Sequence, residues 1–125
     1  MDSKTKKILG FSLTGLVALV FLMSGIMKLM GGENAAEMAK GAGGESNLLI
    51  LGIIELCIVA LWFIPRTGVV AALLSIAYMG GAIAVHFTQG QSVLVPVIIQ
   101  IIIWITAVIR FPELGIRLFN KTTTN

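Results

Sequence analysis

Residues 47–65, "NLLILGIIELCIVALWFIP", decide the fold. From Leu48 to Ile64 the stretch carries one charge, Glu55, and it stops at Pro65. At about 1.5 Å per residue, a helix of this length crosses the ~30 Å hydrocarbon core of a bilayer. In lipid each backbone N–H and C=O must be satisfied within its own segment, so the run is expected to be helical despite its β-branched residues. A carboxylate held against acyl chains costs about 2.5–3.5 kcal/mol. Glu55 should therefore face protein, and the chain should supply other polar groups to meet it.

The same apolar pattern recurs. Four runs are expected as helices, at about 8–30, 47–64, 68–87 and 93–111. The chain has 125 residues, 57% of them apolar and 12% charged. Soluble domains run nearer ~45–50% and ~25%, so a water-facing surface would be left short of polar residues. The expected fold class is an all-α membrane protein: one transmembrane domain over residues 1–125, folded as a four-helix up-down bundle. The first run follows a basic "KTKK" segment, yet it is longer than a signal-peptide core and no A-x-A site follows it, so a retained helix is expected.

The connections are short. The long one, residues 31–46, is read as an outer loop in which "NAAEMAKG" forms two helical turns, with Asn34 as N-cap and Gly41 just past the end. Pro65 stops the second helix and Thr67 is placed to cap the third. Ser92 is placed to cap the fourth, and Pro96 suits a first helical turn. Residues 113–121 read as a short amphipathic piece in the membrane interface.

The net charge is +3 and the pI about 9.4. The basic residues mark the ends of apolar runs and form no basic face, which excludes a nucleic-acid partner. Lys4, Lys6, Lys7, Arg66, Arg110, Arg117 and Lys121 fall on one side of the membrane. Lys28 and Lys40 fall on the other, together with Glu33, Glu37 and Glu45. The positive-inside bias then places both termini in the cytoplasm. The single cysteine, Cys57, allows no disulfide, C-x-x-C pair or cysteine metal site within one chain. It lies about 200° around the helix from Glu55 and should face away from it.

The intramembrane polar residues are sorted by depth. Glu55 sits about 15 Å from Pro65, and Gln100 about 15 Å from Arg110. Lys28, His86 and Ser24 lie nearer the outer edge. Ser12, Thr14, Ser75 and Thr106 lie in the inner half, as hydroxyls that can bond back to their own helix. On the second run Leu48, Leu51, Gly52, Glu55, Val59 and Trp62 share a face. Ser75, Met79, Ala82 and His86 align on the third, and Pro96, Gln100 and Trp104 on the fourth. Turning these faces inward predicts an outward-opening polar pocket of Ser24, Lys28, Glu55, His86 and Gln100. Each residue also has a plain structural reading: Lys28 as a snorkelling cation, His86 as a helix-end residue, Gln100 as interhelical glue, and Glu55 as the partner of Lys28 in a structural ion pair. Tyr78, mid-run, needs a hydrogen-bond partner.

"FLMSGIMKLMG" at 21–31, "LGIIELCIVALWFIPR" at 51–66 and "AYMGGAIAVHFTQGQ" at 77–91 resemble the DoxX and DoxX-like family of small four-helix membrane proteins. The resemblance rests on Ser24, Gly25, Lys28 and Leu29, on Gly52 and Glu55 closed by Pro65 and Arg66, and on Ala82 and His86. It implies a bacterial inner-membrane location and a non-catalytic subunit of a quinone-linked redox complex. The cofactor would be a quinone or lipid headgroup, with a redox protein or a second copy as partner. Related animal proteins imply the alternative, a membrane assembly factor. A small proton-linked carrier working through Glu55 is a third reading. With one histidine and one cysteine, a bis-histidine haem or thiol chemistry within a monomer is not supported.

Overall fold

The computed structural model describes residues 2–31 and 35–119. Six α-helices account for nearly all of it: α1 (Ser3–Met30), α2 (Ala35–Ala42), α3 (Glu45–Trp62), α4 (Gly68–Thr88), α5 (Leu94–Arg110) and α6 (Pro112–Phe119), with one 3-10 turn at Pro65–Thr67. No strand occurs among the described residues. α1, α3 and α4 with its preceding turn are each long and apolar enough to cross a membrane. A fourth candidate is α5 with α6, a pair bent by 106°.

The ends of the helices follow local chemistry, and several differ from the sequence-based expectation. α1 starts at Ser3, five residues before the apolar run, because the Asp2 carboxylate accepts the Thr5 N–H at 2.7 Å. That backbone hydrogen bond holds the Asp2 carboxyl below its ordinary value. α2 runs through Gly41 to Ala42. The stop is Gly43, at φ 92°, where an L side chain is strained, and the expected Asn34 cap lies outside the described residues. The loop as a whole carries more helix than expected.

Thr67 does not cap the helix that follows it. Its hydroxyl donates backwards, to the carbonyls of Leu61 at 3.0 Å and Ile64 at 3.3 Å. The Leu61 carbonyl is one that the end of α3 leaves without an intrahelical partner, and Ile64 lies just beyond that end. Ser92 does accept the Leu94 N–H at 3.2 Å, as α5 opens. Pro96 falls in the first turn of α5, where its missing N–H has no helical acceptor to lose. α5 ends because Phe111 precedes Pro112 and is pushed out of the helical region, to φ −122° and ψ 87°. The chain turns there and α6 begins at Pro112, with Lys121 of the expected 113–121 segment outside the described residues.

The four long helices contact one another in a ring: α1 packs on α3 and α5, and α4 packs on α3 and α5. Between them lie Val17 and Phe21 from α1, Ile58 and Trp62 from α3, Ala71, Ala72 and Met79 from α4, and Ile103 and Ala107 from α5. The outer faces are apolar too. Ile8, Leu19, Met23, Leu73 and Ile101 are each more than half exposed. Water would penalise that surface; acyl chains do not. With helices of this length and hydropathy, the chain is a membrane protein.

One expected alignment fails. Trp104, placed in line with Pro96 and Gln100, is 41% exposed, while Ile103 and Ala107 are buried. A spacing of four advances about 400°, so two steps drift ~80° off a face, whereas steps of three and four follow it.

Candidate functional site

The site begins with two glycines. A Cβ at Gly25 would lie 3.1 Å from the carbonyl oxygen of Gly52, and a Cβ at Gly52 would lie 3.1 Å from that of Gly25. The backbones of α1 and α3 therefore touch at this level, as small residues permit in membranes. Gly25 also faces Leu56, and Gly52 faces Lys28 and Leu29. Rising numbers on one helix meet falling numbers on the other, so α1 and α3 run in opposite directions here.

Lys28 and Glu55 each follow their glycine by three residues, one turn further along their own helix. Helical side chains lean towards the N-terminus of their helix. In an antiparallel pair the two therefore lean towards each other, back to the level of the glycines. Lys28 Nζ lies 2.6 Å from Glu55 Oε1. The same ammonium donates to Ser24 Oγ at 2.6 Å, one turn down α1. Glu55 is 2% exposed. Its Oε1 also accepts the Tyr78 hydroxyl from α4 at 2.8 Å, and the Tyr78 ring lies against Phe21, with centroids 5.7 Å apart.

Of the five residues singled out from the sequence, Ser24, Lys28 and Glu55 are joined directly. Gln100 is held apart from them: its Nε2 donates to the Ile76 carbonyl on α4 at 3.0 Å, and its buried Oε1 has no hydrogen-bond partner among the described residues. His86 donates Nδ1–H to the carbonyl of Ala82, on its own helix, at 2.7 Å. It sits about 12 Å along α4 from Tyr78. Tyr78 is the member that the residue patterns did not place in the site. Its need for a partner was visible; which carboxylate it met was not. No three His, Cys, Asp or Glu side chains converge to hold a metal among the described residues. Cys57 is exposed, on the far side of α3 from this cluster.

A second polar cluster occupies the other half of the bundle. Three of the four inner hydroxyls bond back to their own helices, Thr14 to Gly10, Ser75 to Ala71 and Thr106 to Ile102, while Ser12 is exposed on α1. Two of them also receive donors from other helices. Trp62 Nε1 donates to Ser75 Oγ at 3.0 Å, and Arg110 Nη1 donates to Thr14 Oγ1 at 2.9 Å. The Arg110 guanidinium lies over the rings of Phe11, at 4.8 Å, and Phe111, at 5.4 Å. In the sequence Arg110 is a flank charge; no spacing signal ties it to Thr14, 96 residues away.

Chemically, the first cluster is a neutralised ion pair with donors to spare. The ammonium has three N–H donors, and the named bonds use two. The second carboxylate oxygen of Glu55 takes part in none of the hydrogen bonds among the described residues. No curated protein and no solved structure matches the chain. The model of the DoxX-like family matches residues 12–108, a span that holds Ser24, Lys28, Glu55 and Tyr78 together, and the chain belongs to the DoxX-like family.

Proposed function

We propose that this protein is a non-catalytic membrane subunit whose Ser24–Lys28–Glu55–Tyr78 cluster binds the polar headgroup of a quinone-like or lipid-like molecule. The ligand would enter from the end of the bundle that carries Lys28. The observation that carries the reading is the Lys28–Glu55 pair itself, 2.6 Å long and set between two spans. A carbonyl oxygen can accept the remaining Lys28 N–H, and a hydroxyl can donate to the free oxygen of Glu55. The lysine side chain is 17% exposed, which leaves an approach to it. In this reading His86 extends the site outward and Gln100 flanks it at the depth of Glu55, as second contacts for a larger headgroup. Association with a redox complex of the bacterial inner membrane is part of this proposal, and its support is the resemblance of the sequence motifs alone.

The topology belongs to the same proposal. α1, α3, α4 and α5 cross the membrane in alternating directions as one domain of residues 1–125, with α6 lying in the interface. The positive-inside bias of Lys4, Lys6, Lys7, Arg66, Arg110 and Arg117 puts both termini in the cytoplasm.

The test is mass spectrometry of the native protein with whatever it retains on purification. A co-isolated molecule with a carbonyl or hydroxyl headgroup, lost in Lys28→Met, is the expected result. Wild-type protein that carries nothing, or a variant that retains the same molecule equally, overturns the reading.

A second reading, a membrane assembly factor, has its own support. Gly15 on α1 and Gly80 and Gly81 on α4 face open space, and small residues of this kind let another helix approach closely. Gly81→Leu would then lose a co-purifying membrane protein while keeping the headgroup ligand.

A further inference from the structure

The 106° corner between α5 and α6 leaves a groove against the first turns of α1, at the opposite end of the bundle from Lys28. Its volume is about 400 Å³, and it is lined by Ser3, Lys6, Lys7, Phe11, Arg110 and Pro112, among others. Ser24 and Lys7 are about 25 Å apart along α1, so this groove is distinct from the proposed headgroup site. A volume of this order suits a small ligand. Three cations line it, and no carboxylate does among the described residues. Asp2 and Glu113 lie close in sequence but are not part of the lining.

Positive-inside bias accounts for Lys6 and Lys7. It does not account for the way Arg110 is held. The guanidinium is fixed by Thr14 Oγ1 and by the faces of Phe11 and Phe111. That bond uses one of its five N–H donors. A cation whose position is set before any ligand arrives loses little freedom on binding, and its planar fork matches two phosphate oxygens. The remaining wall is apolar, from Phe11, Ile109 and Pro112. A groove with a cationic mouth and an apolar wall, at the end of the membrane-crossing helices, matches a molecule with a phosphate at one end and acyl chains at the other. We infer that the α1/α5–α6 groove binds the phosphodiester of an anionic membrane lipid, with Lys6, Lys7 and Arg110 on the phosphate and the aromatic wall against the first acyl carbons.

The experiment titrates the full chain in neutral detergent with phosphatidylglycerol and with phosphatidylcholine of the same acyl chains, read by native mass spectrometry. Wild-type protein is expected to prefer the anionic lipid, and K6Q/K7Q to lose about fivefold of that preference for each lysine removed. R110K keeps the charge and loses the fork, and both lipids carry the phosphodiester that the fork holds, so it should weaken the binding of both while leaving a preference for the anionic lipid. Inorganic phosphate is added as a competitor. Competition means that the phosphate group alone suffices; no competition, with the lipid preference intact, means that the acyl portion is required. Equal binding of the two lipids by the wild type overturns the inference. So does a preference that survives undiminished in K6Q/K7Q, or an R110K protein that binds the anionic lipid as tightly as the wild type. Neither result bears on the Lys28 site, which the Lys28→Met experiment tests separately.

Discussion

Lys28 and Glu55 meet at 2.6 Å, and each stands one helical turn beyond a glycine, Gly25 or Gly52, whose backbone touches that of the other. The ion pair and the helix crossing are one feature. The glycines bring the helix axes close, and the backward lean of helical side chains then carries an ammonium and a carboxylate to the same height. A pair displaced by one residue on either helix would turn about 100° away and leave a charge facing lipid.

Removing one partner should therefore cost more than removing both. Lys28→Met leaves the buried Glu55 uncompensated and is expected to lose about 3–5 kcal/mol. Lys28→Met with Glu55→Leu should recover most of it, since both sites then hold apolar side chains. Reversible unfolding of the four species of the cycle in mixed detergent measures the coupling. Additive losses would mean that the two charges do not stabilise each other.

Alanine at either glycine of the crossing brings its Cβ against backbone, which cannot swing aside as a side chain can. Gly25→Ala and Gly52→Ala are each expected to destabilise by about 1–3 kcal/mol. Gly15→Ala and Gly80→Ala, whose Cβ atoms meet nothing within 4 Å, should show no loss. The comparison is made by thermal denaturation in one detergent, and equal shifts for all four variants would argue against the close approach.

The two tryptophans should report opposite surroundings. Trp62 is fully buried and bonded to Ser75, whereas Trp104 is 41% exposed on the outer face of α5. In bilayers containing brominated lipid, the fluorescence of a Trp62→Phe protein, which reports Trp104, should be strongly quenched. That of a Trp104→Phe protein should be nearly unaffected. Quenching of Trp62 to the same degree would mean that the bundle admits lipid at its centre.

At the N-terminus the sign of the pH dependence is fixed by the cap. The Asp2 carboxyl titrates below its ordinary value of 3.8 because the Thr5 N–H stabilises the charged form. The cap's contribution is fully present above that unfolded value and is lost as pH falls through the lower folded one. An NMR titration of Asp2 in the full chain should give a pKa under 3.8, and Asp2→Asn should abolish the pH dependence of protection at the Thr5 amide. A value at or above 3.8 would remove the cap as the reason that α1 starts at Ser3.

Much of the helical framework was legible in the chain. Residues 47–65 declare a span by length and hydropathy alone, and the other runs do the same, because lipid leaves an apolar segment of that length few choices besides helix. Boundaries were harder. Thr67 shows why: a threonine between two helices can serve either, and it serves the carbonyls behind it. Trp104 shows the limit of reading faces by a spacing of four. In the candidate site, Glu55 and Lys28 stood out because charges in a span are costly, and a cost can be read one residue at a time. Tyr78 and Arg110 found partners from far along the chain, and no local pattern announces such a partner.

From its sequence alone this protein is a membrane chain of apolar helices, one that resembles the DoxX-like family, and the holder of charges that need company. These properties depend on composition and periodicity, which belong to each segment by itself. Only the tertiary structure decided that Tyr78, and not His86 or Gln100, donates to Glu55, and that Arg110 crosses to Thr14 beside an open groove. Those choices depend on how far each helix is rotated and where it crosses its neighbour. Contacts between distant residues set both, at Gly25 against Gly52 above all.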